Sequence, residues 1–159
     1  QNFCVDRYEY PGSIGRLPKT LVSAVEAASL CAERGARLCS LSEWQLACGG
    51  KEGLLFPYGS TYRHGICRTR SVGPVPVGSM PECRSPFGAY DMSGNVAEWT
   101  SDSIAAGRMV AGGDWVADSA QSKCTSVSPF NAGLTSTRVG FRCCRAPNKK
   151  ADADPPAQQ

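Results

Sequence analysis

One histidine, three methionines and no apolar run near the roughly 20 residues that span a bilayer are what this 159-residue chain does without or has little of. The lone His64 lies in a polar loop, where a histidine is an ordinary solvated residue. No Ser/His/Asp arrangement, Gly-x-Ser-x-Gly elbow or phosphate-cradling glycine loop is present. No basic stretch exceeds Lys149-Lys150, and the net charge is only +3, so nucleic acid is not an expected partner and membrane insertion is not expected either. Paired Cys-x-x-Cys knuckles are missing, which sets structural zinc aside. No signal-peptide pattern opens the chain, so Gln1 is expected to begin a mature or trimmed fragment.

Cysteine, in contrast, is abundant. Nine in a chain of this length point to an oxidising compartment, hence an extracytoplasmic (secreted, periplasmic or cell-surface) protein stapled by disulfides. Nine is odd, so at least one thiol is left over, and spacing alone does not reveal connectivity. The length suits one domain with its own core.

Along the chain, residues 3–10 read as an opening strand. Ser23-Ala-Val-Glu26 reads as a capping box that starts a helix running to about Arg34, with Gly35 as its stop. Ser40-Leu-Ser-Glu43 repeats the device for a shorter helix ended by Gly49-Gly50. Beyond residue 50, Gly and Pro interrupt every few residues until Phe141-Arg-Cys-Cys144, read as a closing strand. The class is therefore α+β, with one domain over 1–146 and a polar, proline-bearing tail over 147–159 expected to be disordered.

The most informative run is Phe87-Gly-Ala-Tyr-Asp-Met-Ser-Gly-Asn-Val-Ala-Glu-Trp99. Asp91 and Glu98 flank a Ser93-Gly94-Asn95 turn, and Tyr90 and Trp99 bracket it. Such a turn aims carbonyl oxygens inward while the carboxylates supply charge, which is calcium chemistry. An Asx-type turn with Glu98 capping nearby backbone is the plainer reading. Together with Phe3-Cys-Val-Asp-Arg-Tyr-Glu9, Ala36-Arg-Leu-Cys-Ser-Leu-Ser-Glu-Trp44, Phe56-Pro-Tyr-Gly59, Gly112-Gly-Asp-Trp115 and Gly140-Phe-Arg142, the run resembles the formylglycine-generating enzyme (sulfatase-modifying factor) family, a variant of the C-type lectin fold. The resemblance reaches from Phe3 to Arg145.

That resemblance implies a loop-rich domain with short antiparallel strands and the disulfides Cys31–Cys143 and Cys48–Cys124. Cys67 and Cys83 flank a Gly/Pro loop and are paired locally, and Cys4–Cys39 is assigned to the remainder, leaving Cys144 over. The family's calcium ligands carry over to the side chains of Asp91 and Glu98 and the carbonyls of Gly94 and Val96. A second cation site found in relatives is expected to be absent, because Arg68 and Arg70 stand where carboxylates would be needed. The oxidase members bind copper through two thiolates after the Gly-Gly motif. Here those positions are Ala117 and Ser122, so no copper is expected and the chain reads as a probable pseudoenzyme. The implied function is a non-catalytic binding or sensory domain, like sensor domains of bacterial kinases, recognising a protein or small-molecule ligand through residues 114–138. Asp114, Trp115, Asp118, Phe130, Asn131 and Arg138 are the candidate contacts. The alternatives are a periplasmic oxidoreductase or maturation enzyme working through carboxylates such as Asp114 and Asp118, a structural piece of a larger envelope assembly, and an ordinary surface loop.

Overall fold

The computed structural model describes residues 2–105 and 107–147; the tail expected to be disordered lies, beyond Pro147, outside the described residues. Among the described residues nine short elements follow one another: β1 (Cys4–Val5), α1 (Ala24–Ala32), β2 (Arg37–Leu38), α2 (Leu41–Gly49), β3 (Ala97–Ile104), β4 (Gly107–Ala111), β5 (Val127–Phe130), β6 (Val139–Gly140) and β7 (Cys143–Arg145). Both helices begin where the sequence marks them. Ser23 and Ser40 each accept the backbone N–H of a glutamate three residues on, and that glutamate accepts the serine's own N–H in return. Glu43 is also clamped by Arg37 through two 2.6 Å bonds, which hold its carboxyl down to about 2. Helix α1 stops at Ala32, earlier than Arg34, with Gly35 in the left-handed region just beyond.

The opening strand is much shorter than residues 3–10. Regular pairing covers Cys4–Val5, although Asp6 and Tyr10 still donate their N–H groups to Cys143 and Phe141 carbonyls. The strands make two sheets, one ordered β1-β7-β2 and the other β5-β4-β3-β6. In the second, β3 pairs antiparallel with β4 and parallel with β6, so the Glu98-Trp99 end of the long motif sits at the centre of a sheet.

Strand β7 joins two cores. Successive side chains on a strand point to opposite faces. Accordingly, Cys143 lies with Val22, Ala27, Leu38, Trp99 and Phe141 in one apolar cluster, while Cys144 lies with Trp44, Met92, Cys48 and Cys124 in another. Disulfides Cys31–Cys143, Cys48–Cys124 and Cys67–Cys83 are those expected. The assignment Cys4–Cys39 is corrected: Cys39 bonds Cys144 instead, with Cα atoms 4.8 Å apart. Topology decides this. Strands β1 and β2 lie on opposite sides of β7, and two strand spacings are about 10 Å, beyond the roughly 7 Å that a disulfide bridges between Cα atoms. Four disulfides fit an oxidising, extracytoplasmic setting, and no helix among the described residues is long and apolar enough to cross a membrane.

Candidate functional site

A cavity of about 270 Å³ opens on one face of the four-stranded sheet. Ala97, Val110, Ser128 and Val139 supply its floor, one from each strand, and Gly113, Asp114, Ala117 and Gln121 wall it on one side. Arg138 reaches across from the other side and grips Asp114 with two bonds, Nε to Oδ2 at 2.7 Å and Nη2 to Oδ1 at 2.9 Å. Asp114 also accepts the N–H of Val116, which fixes the turn that follows. Half of the Arg138 side chain remains exposed, so the pair is a rim feature of modest stabilising value. Gly113 is required here. It lies at φ +67°, and a Cβ would sit 2.5 Å from the Gln121 carbonyl oxygen and 2.8 Å from the Ala117 Cβ.

Of the six candidate contacts, the structure brings Asp114, Phe130 and Arg138 to this cavity. Phe130 meets Trp99 edge-on at 5.4 Å, so its ring also closes the core. The other three lie elsewhere. Asp118 accepts the N–H groups of Ala120 and Gln121, which hold its carboxyl below the usual range. Asn131 accepts the N–H of Gly133, and Trp115 bridges loops through its backbone to Asn95 and Ser71. Asp118 and Asn131 are turn formers. Ser128 and Gln121 lie within the 114–138 segment but could not be singled out from the sequence, because their roles depend on which way a short edge strand and a turn face.

Ala117 and Ser122 stand where the resemblance places a thiolate pair. Ala117 lines the cavity, and the Ser122 hydroxyl is turned to the Asp118 carbonyl at 2.7 Å. Cys124 is tied to Cys48. Among the described residues, no three His, Cys, Asp or Glu side chains form a group that could hold a metal ion.

The long motif forms a second centre, behind the sheet. Glu98 is fully buried and bound at both oxygens: Arg142 donates Nε to Oε2 and Nη2 to Oε1, each at 2.7 Å, and Trp44 Nε1 donates to Oε2 at 2.7 Å. Arg142, equally buried, also donates to the carbonyls of Asp6 and Tyr90. Glu9 is buried as well and accepts from Asn95 Nδ2 and the Val96 N–H, tying the segment after β1 to the turn. Desolvation, then repulsion from Asp91 and Glu98, pushes the Glu9 carboxyl well above the usual range. Glu9, Trp44 and Arg142 each sit inside a motif quoted above, yet their convergence on Glu98 and Asn95 could not be read from spacing.

Asp91 bears on calcium. It is buried at φ +61°, its Oδ2 accepts the Gly78 N–H at 2.7 Å, and its Oδ1 has no hydrogen-bond partner. Burial pushes its carboxyl up to about 6. Three buried carboxylates face one guanidinium, and a buried, unpartnered carboxylate oxygen suits a hard cation. Asp91 Oδ1 is thus one free donor of the kind calcium takes, whereas Glu98 is engaged by Arg142 and Trp44.

The sequence profile of the family described as "Sulfatase-modifying factor enzyme 1-like domain" matches residues 11–147. "Serine/threonine-protein kinase pkn1" of Chlamydia caviae is 31% identical over 132 residues, covering 70% of this chain and 21% of that protein. "Inactive C-alpha-formylglycine-generating enzyme 2" of Mus musculus is 31% identical over 150 residues, covering 80% of this chain and 48% of that protein. Among solved structures, PvdO from Pseudomonas aeruginosa superposes with a TM-score of 0.72 at 20% identity, over 82% of this chain and 62% of that one. This chain thus spans about a fifth to a half of the length of these two curated relatives.

Proposed function

The chain belongs to the sulfatase-modifying factor enzyme 1-like domain family, with its loop-rich α+β, C-type lectin-like fold, and we propose that its former catalytic face now serves binding or sensing. The observation that carries this reading is Ala117 in the wall of the sheet-face cavity, where an oxidase of this family would present a thiolate. A methyl group can neither coordinate copper nor attack a substrate. The lining instead mixes apolar strand residues with serine hydroxyls and a self-neutralised Asp114–Arg138 pair. This is the composition of a pocket that orients an uncharged, hydrogen-bonding ligand, whether a small molecule or a protruding protein side chain. The carboxylate-based enzyme reading gains nothing from Asp114, whose two oxygens are held by Arg138 and Val116.

Calcium belongs to the same reading. Asp91 and the carbonyls of Gly94 and Val96 would hold it, and when bound it would supply the positive charge that the cluster of Glu9, Asp91 and Glu98 lacks. Its role is to stiffen the scaffold under the pocket. The protein acts outside the cytoplasm, as a secreted, periplasmic or cell-surface domain.

A fragment screen by amide chemical-shift mapping tests the pocket. Hits should perturb Gly113, Gln121 and Ser128, and Ser128→Trp should abolish them without lowering Tm. Hits clustering elsewhere would show that the face is wrongly placed. Cuprous titration of the disulfide-intact protein should give no tight thiolate complex, and a cysteine peptide should remain unoxidised; turnover of that peptide would end the non-catalytic reading.

A further inference from the structure

The charge of this chain is concentrated. Residues 53–81 contain Arg63, Arg68 and Arg70 and no aspartate or glutamate, so this one stretch carries a formal +3, the net charge of the whole chain. The structure folds that stretch into a stapled basic loop. Cys67–Cys83 staples its middle. Its Arg70 and Ser71 N–H groups donate to the Ala117 and Trp115 carbonyls, which seats it against the turn that walls the first cavity.

Two guanidiniums in the loop are held in place. Arg63 lies over the Tyr58 ring at 5.2 Å, and Arg70 over Tyr62 at 5.9 Å. Phe56 stacks on Tyr58 and meets Tyr62 edge-on, and the Tyr62 hydroxyl bonds Thr69 Oγ1. Arg63, His64 and Arg70 are exposed, while Arg68 turns to the Gly73 carbonyl. A guanidinium resting against a ring has fewer rotamers to give up when an anion arrives than a fully solvated one. Asp118 lies near enough to Arg70 to offset part of its charge.

Beside the loop is a second, shallow cavity of about 310 Å³. Ser60, Thr61, Ser119 and Tyr62 bring hydroxyl-bearing side chains to it beside the apolar Leu55, Phe56 and Ala120, and Lys123 also lines it. The 117–123 turn partitions the two cavities, giving Ala117 and Gln121 to the first and Ser119 and Lys123 to the second.

We propose that the basic loop 58–72 and this hydroxyl-lined cavity form a second binding surface, for an oligosaccharide carrying carboxylate or sulfate groups. The guanidiniums and Lys123 meet the acidic groups, and the serine and threonine hydroxyls meet those of the sugar ring. A single-stranded nucleic acid fits less well. Base binding needs open aromatic faces, and here the Tyr58 ring already stacks with Phe56 and carries the Arg63 guanidinium. An acidic peptide would match the charge and leave the hydroxyls without a role. The surface stands whether or not the first cavity takes a ligand.

Calorimetric titration of the whole chain with a sulfated hexasaccharide and with a uronic-acid hexasaccharide, at physiological salt, tests this and separates the two anion types. At least one should bind saturably. The double variant Arg63→Gln/Arg70→Gln should lose about tenfold or more in affinity, and Lys123→Gln and Ser60→Ala/Ser119→Ala about threefold each. Arg34→Gln, which removes a guanidinium stacked over Tyr10 elsewhere on the surface, should bind like the parent. All variants should keep the parental Tm, since these side chains are on the surface. Binding of neither saccharide, parental affinity in the Arg63/Arg70 or hydroxyl variants, or equal affinity for polyglutamate or oligothymidylate would each overturn the proposal.

Discussion

Asp91→Asn is expected to make the protein more stable at pH 7.5 when calcium is withheld. The carboxyl sits at about 6 instead of its ordinary 3.8, a gap of about two pH units, or roughly 3 kcal/mol of ionisation penalty in the folded state. An acid whose folded pKa exceeds its unfolded one contributes fully below the unfolded value, and that contribution is lost as pH rises through the folded value. The calcium-free protein should therefore weaken between about pH 4 and pH 7. The substitution removes the charge, keeps an oxygen for the Gly78 N–H, and suits the left-handed backbone that asparagine tolerates well. The new amide N–H groups recover less than a perfect fit would, so a net gain of about 2 kcal/mol is expected at pH 7.5, or about 5 °C in Tm for a chain of this size. At pH 4 the gain should vanish. Excess calcium should reverse the order, raising wild-type stability by about 2.7 kcal/mol at a hundred times its Kd and leaving the variant behind. Urea unfolding across pH, with and without calcium, reads all three. Equal destabilisation at pH 4 and pH 7.5 would refute the reasoning, because Asp91 would then be only a structural acceptor.

Arg142→Met should cost about 3–5 kcal/mol, since it leaves Glu98 buried opposite Trp44 without its cation; a loss under about 1 kcal/mol in thermal unfolding would contradict the pairing. Cys39→Ser should cost about 3–4 kcal/mol by removing a closure that spans 105 residues, and peptide mapping of the parent should recover Cys39 linked to Cys144. Gly113→Ala should shift the 117–122 turn and weaken any fragment bound at Ser128 by about tenfold, with amide shifts confined to that cavity. Glu43 works opposite to Asp91. Held near 2 by Arg37, it contributes above about pH 4.5 and its contribution is lost as pH falls toward 2, so Arg37→Gln should flatten the acid limb of the stability profile.

What could be read in advance depended on how local the physics is. Both helix starts are three-residue devices, and Ser23/Glu26 and Ser40/Glu43 form them as written. The α+β class followed from where periodicity stops. The 87–99 motif was legible as a turn flanked by two carboxylates, but its chief partner, Arg142, lies 44 residues beyond Glu98 and Glu9 lies 86 before Asn95. Strand β3 was hidden because it begins inside that motif, where turn residues dominate the pattern. Cys39 was misassigned for the same reason that β1 was overextended: strand order decides both, and no spacing encodes that β7 lies between β1 and β2. At the sheet-face cavity, Asp114, Phe130 and Arg138 converge, whereas Asp118 and Asn131 serve their own turns.

The adjacent cysteines of β7 have a consequence for biosynthesis. Cys31 and Cys39 find their mates 112 and 105 residues downstream, so on a chain emerging from a translocon both thiols wait, eight positions apart, until nearly the whole domain has been delivered. Any short-range oxidation in the meantime, Cys31 with Cys39 or Cys39 with Cys48, gives a non-native ring that must be reopened. Secretion yield of this domain should consequently track the host's disulfide isomerase rather than its oxidase.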